Sequence, residues 1–225
     1  MPDRALLRVG SASAILGAIL LLASNILYPR SADPGNAKAV LENAAKISAG
    51  LHTGTSIGLL LGIVLALGGF LALYRSIANQ PAASWARLGY GAAVISTALF
   101  SIVTGVDGSA LKNVADAWTK APAAYEAAAT AVVWVDYGFF TAWIMVFGVS
   151  NALYGAAVAY SDGYPQWLGW LALLLGIALT AIGLAQAYNG PSHNLDLLFG
   201  IFSVAVTVWL FVMGILMWRK ATAAP

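Results

Sequence analysis

The chain has 225 residues, 60% of them hydrophobic and only 9% charged, whereas soluble domains carry about 25% charged residues, so the composition belongs to a membrane protein. A net charge of +2, spread along the chain, is too small to build the basic face that nucleic acid requires, and no nucleic-acid partner is expected. The absence of cysteine excludes disulfides, thiolate nucleophiles, thiolate-bound zinc and iron–sulfur clusters.

In chain order, Arg4 and Arg8 precede an apolar run over residues 9–28. It is about 20 residues long, enough to cross a bilayer, and no cleavage site directly follows it, so it reads as a first span rather than a secretory signal. Pro29 and the Ser31-Ala32-Asp33-Pro34-Gly35 cluster end it, and a short surface helix is expected over 36–46. The second span, 49–77, carries Gly54, Gly58 and Gly62 at a spacing of four, followed by Ala66. Small residues so spaced share one helix face and let another backbone approach closely, within the chain or between copies in a homo-oligomer. After the turn at Asn79-Gln80-Pro81 a third span covers 85–106, with Asp107-Gly108 at its far end.

Residues 112–122 are polar and alanine-rich and read as an exposed connection. Pro122 suits the first turn of a fourth helix, which can run to Tyr160. At 1.5 Å per residue that is about 57 Å, nearly twice the hydrocarbon thickness. No further proline interrupts it, so one helix (123–160) projecting on the Pro122 side is expected. The Ser161-Asp162-Gly163-Tyr164-Pro165 turn leads to spans at 166–188 and 195–218, joined by Asn189-Gly190-Pro191-Ser192. The fold class is therefore all-α, a polytopic transmembrane helical bundle with about six spanning helices in one domain, its partner the lipid bilayer.

Orientation follows from lysine and arginine near the span ends. Arg4, Arg8, Arg75, Arg87, Arg219 and Lys220 share one side, with Asp3 and Asp162 opposing; Arg30, Lys38, Lys46, Lys112 and Lys120 share the other. The first group hugs the span ends, which places both termini in the cytoplasm.

About 20 residues from each inner span end, the unusual polar side chains collect at one depth. Asn25 lies in the first span, His52 at the head of the second, Asp107 at the end of the third and Asp136 in the fourth; His193 and Asp196 surround the last connection. Trp134 belongs with Asp136 in the Trp134-Val135-Asp136-Tyr137-Gly138 stretch. A carboxylate at the centre of a membrane helix costs roughly 2.5 to 3.5 kcal/mol on the lenient scales, so Asp136 must face protein, water or a partner. Helical periodicity puts Asp136 on a stripe with Phe140, Trp143, Phe147, Ser150, Asn151 and Tyr154, and Asp196 on one with Phe199, Gly200, Ser203 and Thr207. Asn25 continues a face of Gly10, Ala14, Gly17, Ala18 and Leu21.

Each polar residue also has a plainer reading. Asp136 would make one interhelical hydrogen bond or ion pair, and Asp107 would be a solvated helix-end aspartate. His52 would anchor at the interface, and His193 would be a loop residue beside a Ser192 or Asn194 cap. Two imidazoles and a carboxylate are an accepted metal-ligand set, but no His-x-x-x-His, His-Glu-x-x-His or Glu-x-x-His spacing is present, so no metal ligand is assigned. Glycine-rich phosphate loops, broken helix pairs and internal repeats are likewise absent.

Tyr137-Gly138, Phe147-Gly148, Tyr154-Gly155 and Ser161-x-Gly163-Tyr164-Pro165-x-x-Leu168-Gly169-x-Leu171, within residues 136–171, resemble an uncharacterised family of bacterial six-helix membrane proteins grouped as a domain of unknown function. Leu73-Tyr74-Arg75 resembles it too. The resemblance implies the fold and a bacterial inner membrane, and carries over no catalytic residue.

The leading expectation is an outward-facing polar pocket, built by the second, third, fourth and sixth helices, that binds or transports a small molecule, ion or lipid. Asp136 and Asp107 are its anchors, His52 a proton-responsive partner, and Asn25, Trp134, His193 and Asp196 complete the candidate ligand-binding set. A membrane-embedded acid/base or metal-dependent enzyme acting on a lipid or isoprenoid is the alternative; a structural subunit is the second alternative.

Overall fold

The computed structural model describes residues 4–223; Asp3 lies outside them. The described residues form helices joined by turns: α1 (Arg4–Leu27), α2 (Ala37–Lys46), α3 (Ala49–Ile77), α4 (Ala83–Gly105), a π-helical segment (Val106–Leu111), α5 (Lys112–Lys120), α6 (Pro122–Ala159), α7 (Gln166–Asn189) and α8 (His193–Thr222). Six helical stretches are long and apolar enough to cross a bilayer, so the chain is a multi-pass membrane protein. The chain's first and last helical residues share one end of the bundle, here the terminal end; the α1–α2 connection marks the distal end.

Local chemistry sets the helix boundaries. Asn36 accepts from the Lys38 and Ala39 amides to start α2, and Ser48 and Ser192 cap α3 and α8 through the Leu51 and Leu195 amides. Gly190 closes α7 at φ 77°, a conformation that glycine adopts without strain.

In a bilayer, apolar side chains gain little by leaving lipid for protein, so helices associate by close contact along small residues. The α6–α7 seam is the tightest of these. A side chain at Gly155 or Gly169 would overlap the backbone of Leu173 or of Ala159, and Gly148 and Gly176 lie equally close to the facing backbones. The family-like Phe147-Gly148, Tyr154-Gly155 and Leu168-Gly169 pairs are therefore this seam. A second seam joins α1 to α3, with Gly17 against Gly62 and Ala66, Gly69 against Ala14, and Gly58 against Ser24. Gly54, expected in that row, has nothing near its missing side chain and is not part of it, because α1 ends before reaching that turn.

Directional bonds lock the interior between the seams. Tyr154 Oη donates to the Phe70 carbonyl at 2.8 Å, Ser150 Oγ to that of Gly89 at 3.1 Å, and Trp209 Nε1 to that of Leu168 at 2.9 Å. At the terminal end the Tyr164 hydroxyl sits 2.7 Å from Ser76 Oγ, and burial pushes its pKa up to about 12.

The expectation of an exposed connection over 112–122 is overturned. Helix continues from Ala83 to Lys120 through the π segment, matching α6 at 38 residues. Leu111, Ala115 and Trp118 recur at helical spacing and are buried with Val40, Leu41 and Ala44 of α2 and Ala129 and Val133 of α6. Trp118 Nε1 donates to Glu126 Oε2 at 2.6 Å, and Lys112 Nζ bonds Asp116 at 2.5 Å and the Ala45 carbonyl at 3.3 Å. The surface helix expected over 36–46 is thus one wall of a small distal cap.

The seams carry a direct prediction. Gly169→Ala, which drives a methyl into backbone, should destabilise the bundle by about 2 kcal/mol or more. Gly54→Ala should change stability by less than about 1 kcal/mol, and in the stabilising direction. Helical circular dichroism during thermal unfolding in detergent checks both.

Candidate functional site

The site is assembled where α1, α3 and the π segment meet beneath the cap. A π turn widens the helix and is frequent at functional sites. Here Gly108 lets the segment approach so closely that a side chain would strike Ser56, while Thr53 Oγ1 donates to the Gly108 carbonyl at 3.0 Å. This packing holds Asp107 at 8% exposure. Its Oδ2 accepts a hydrogen bond from the hydroxyl of Tyr28, the first residue past α1. The Tyr28 hydroxyl is the donor in this bond. The Tyr28 ring meets His52 edge-on with centroids 6.0 Å apart. His52, at 2% exposure, is no interface anchor, and Asp107 is not a solvated helix end.

These groups line a cavity of about 150 Å³. Asp136 of α6 and Asp196 of α8 line it as well, together with Asn25 and residues 28–31 near α1 and Val40, Asn43 and Ala44 of α2 on the cap side. Phe100, Phe140, Trp143 and Phe199 form an aromatic floor, with Phe100 and Phe199 centroids 4.2 and 5.6 Å from that of Trp143. A smaller cavity of about 40 Å³ adjoins it, sharing Asn25, Leu59, Phe100, Trp143 and Phe199, and extends one turn deeper to Leu21, Ile63, Phe147 and Ser203, and a further turn to Thr207.

Polar valences around the larger cavity are unmet. Asp136 Oδ1, Asp196 Oδ1, His52 Nδ1 and Trp143 Nε1 are buried without a hydrogen-bond partner among the described residues. Each such group costs about 1 to 3 kcal/mol if it stays unsatisfied. Asp107 is within electrostatic reach of Asp136 and His52, and Arg30 within reach of Asp196. Arg30 Nη2 also donates to Asn25 Oδ1 at 2.6 Å.

Of the residues expected from sequence, Asn25, His52, Asp107, Asp136 and Asp196 line the one cavity. Trp134 and His193 do not. Trp134 is 43% exposed and tilts against Tyr137, because two residues along a helix are about 200° of rotation from Asp136. His193 sits in the exposed first turn of α8, residues 192–194, where Ser192 provides the cap, so the two histidines are apart and the two-imidazole ligand set is not assembled. The walls also extend beyond the four expected helices to α1, the 28–31 connection and α2. Tyr28 and Arg30 escaped the sequence reading because they flank Pro29 in a turn, where helical periodicity has no purchase. The signal for α2 was present in its apolar Val40, Leu41 and Ala44.

Fold and site together define a helical membrane protein with a polar, aromatic-floored cavity near one end of its spans. The chain belongs to the family described as a domain of unknown function, DUF4386, whose model matches residues 10–214. No curated protein and no solved structure matches it.

Tyr28→Phe removes the phenolic donor to Asp107. The change should cost about 1 to 3 kcal/mol of unfolding free energy. A double-mutant cycle with Asp107→Asn, read by denaturant unfolding, should show strong coupling between the two sites; additive losses would show the contact to be idle.

Proposed function

We propose that this protein binds a small molecule in the distal cavity, as a carrier or receptor in a bacterial cytoplasmic membrane, with both termini in the cytoplasm and the cavity opening outward. The observation that carries the reading is the convergence on one cavity of four buried, unpartnered polar atoms from α3, α6 and α8. A purely structural subunit would gain nothing from them, because burying a polar group without a partner is destabilising. The deeper apolar cavity supports a ligand with both a polar and an apolar part.

The orientation is supported by the charge distribution. The basic residues of the terminal end lie at span ends, as the positive-inside rule requires, while Lys112 at the distal end is held in an ion pair with Asp116. An outward cavity in the cytoplasmic membrane would meet solutes entering from outside and lipids of the outer leaflet.

Native mass spectrometry of the detergent-purified protein, with elemental analysis of the same sample, tests the binding reading. Wild type should retain a bound molecule that Asp136→Asn loses while remaining folded. An empty wild type, with a variant that merely unfolds more easily, would contradict it.

A further inference from the structure

Resting on that binding reading, we infer that the cavity selects a primary ammonium carried on a small apolar body, an aryl or short-chain amine. The charge lining it sets the sign. Asp107, Asp136 and Asp196 line the cavity, and among the described residues Arg30 is the one lysine or arginine that does so. Arg30 is engaged with Asn25 and lies on the Asp196 side. Asp136 and Asp107 line the same cavity within electrostatic reach of each other. Like charges so placed are relieved by a bound cation.

The leftover valences set the head group. Two buried, solvent-excluded residues supply observations independent of the acids: His52 at 2% exposure with Nδ1 unpartnered, and Trp143 at 5% with Nε1 unpartnered, both lining the cavity. Asp136 Oδ1, Asp196 Oδ1 and His52 Nδ1, in the tautomer with its proton on Nε2, are acceptors. A primary ammonium brings three N–H donors, which matches them in number and sign. Trp143 Nε1 is a donor and meets the π face of an aryl body or a ligand hydroxyl.

Size and polarity set the body. A cavity of about 150 Å³ is the size that holds one benzene ring, so a two-chain lipid does not fit within it. The aromatic floor and the adjoining cavity of about 40 Å³ suit a ring with a short apolar extension. Hard metal cations instead demand six or more oxygen ligands, and no group of three or more His, Asp or Glu poised to hold a metal is present among the described residues. Among the described residues every acidic residue except Asp162 belongs to the distal end, which carries seven acids against five basic residues. Such a field raises the local concentration of cations.

The test compares benzylammonium with benzyl alcohol, a neutral molecule of nearly the same shape, by isothermal titration into the detergent-solubilised protein at neutral pH. Wild type should bind benzylammonium saturably. Asp136→Asn and Asp196→Asn should each weaken it by about ten-fold or more, the effect of losing a charge-assisted hydrogen bond, and should leave benzyl alcohol nearly unchanged. Asp196→Asn serves if Asp136→Asn does not fold. Equal binding of alcohol and ammonium, or ammonium binding indifferent to both variants, would overturn the cationic class while the cavity reading stood. Displacement of benzylammonium by sodium chloride, but not by choline chloride at equal ionic strength, would make an inorganic cation the ligand and overturn it as well. Binding of neither probe would also overturn it, and a molecule retained in native mass spectrometry would then still uphold the cavity.

Discussion

A carboxylate withdrawn from water into a helical bundle must be paired, enclosed with a partner or neutralised, because the cost of its bare charge rises steeply as the dielectric constant falls. Three such carboxylates near the distal end of this bundle account for much of what surrounds them. The π segment and Gly108 bring Asp107 against α3, and Tyr28 turns its hydroxyl inward to meet it. Arg30 folds back over Asn25 on the Asp196 side. The cap of α2, α5 and the start of α6 excludes bulk water from above, and its residues Val40, Ala44, Leu111 and Val133 belong to both the cap core and the cavity wall. Asp136 and Asp196 each keep a carboxylate oxygen buried without a hydrogen-bond partner among the described residues.

Rigid walls are what make such a cavity persist. The α6–α7 and α1–α3 glycine seams bring backbones into contact in the middle of the membrane, where apolar side chains have no preference between lipid and protein. With those pairs fixed, Tyr154 bridges α6 to α3 and Trp209 bridges α8 to α7 through carbonyl acceptors. The distal ends of α3, α6 and α8 are thereby held apart by the bulky floor of Phe100, Phe140, Trp143 and Phe199 instead of closing onto one another.

The depth of the site was legible in the sequence because the rise per residue of a helix is constant. Counting along each span places Asn25, His52, Asp107, Asp136 and Asp196 at one level, and they meet there. Azimuth was less legible. Trp134 shares the depth of Asp136 but points away from it, and His193 shares a turn with the cap residue Ser192 rather than with the cavity. Within the cap, residues 112–122 read as loop by composition because alanine and polar residues dominate them, although Leu111, Ala115 and Trp118 carry the helical period. Tyr28 and Arg30 lie on a turn next to proline, where no periodicity predicts direction. Small-residue rows announced close helix contacts but not their partners, and Gly54 shows that such a row can outrun the helix it packs against.

The central claim is that the acids share one cavity reached from the outer side of the membrane. Because the chain has no cysteine, any introduced thiol is the only one present. Asn25→Cys, in the cavity wall, and Asp162→Cys, in the terminal-end turn, can be exposed in intact cells to a small membrane-impermeant cationic methanethiosulfonate. The account predicts that Asn25→Cys reacts from outside and that Asp162→Cys reacts only after the membrane is opened. Reaction of Asp162→Cys in intact cells, or an Asn25→Cys thiol that stays inert from either side, would contradict it.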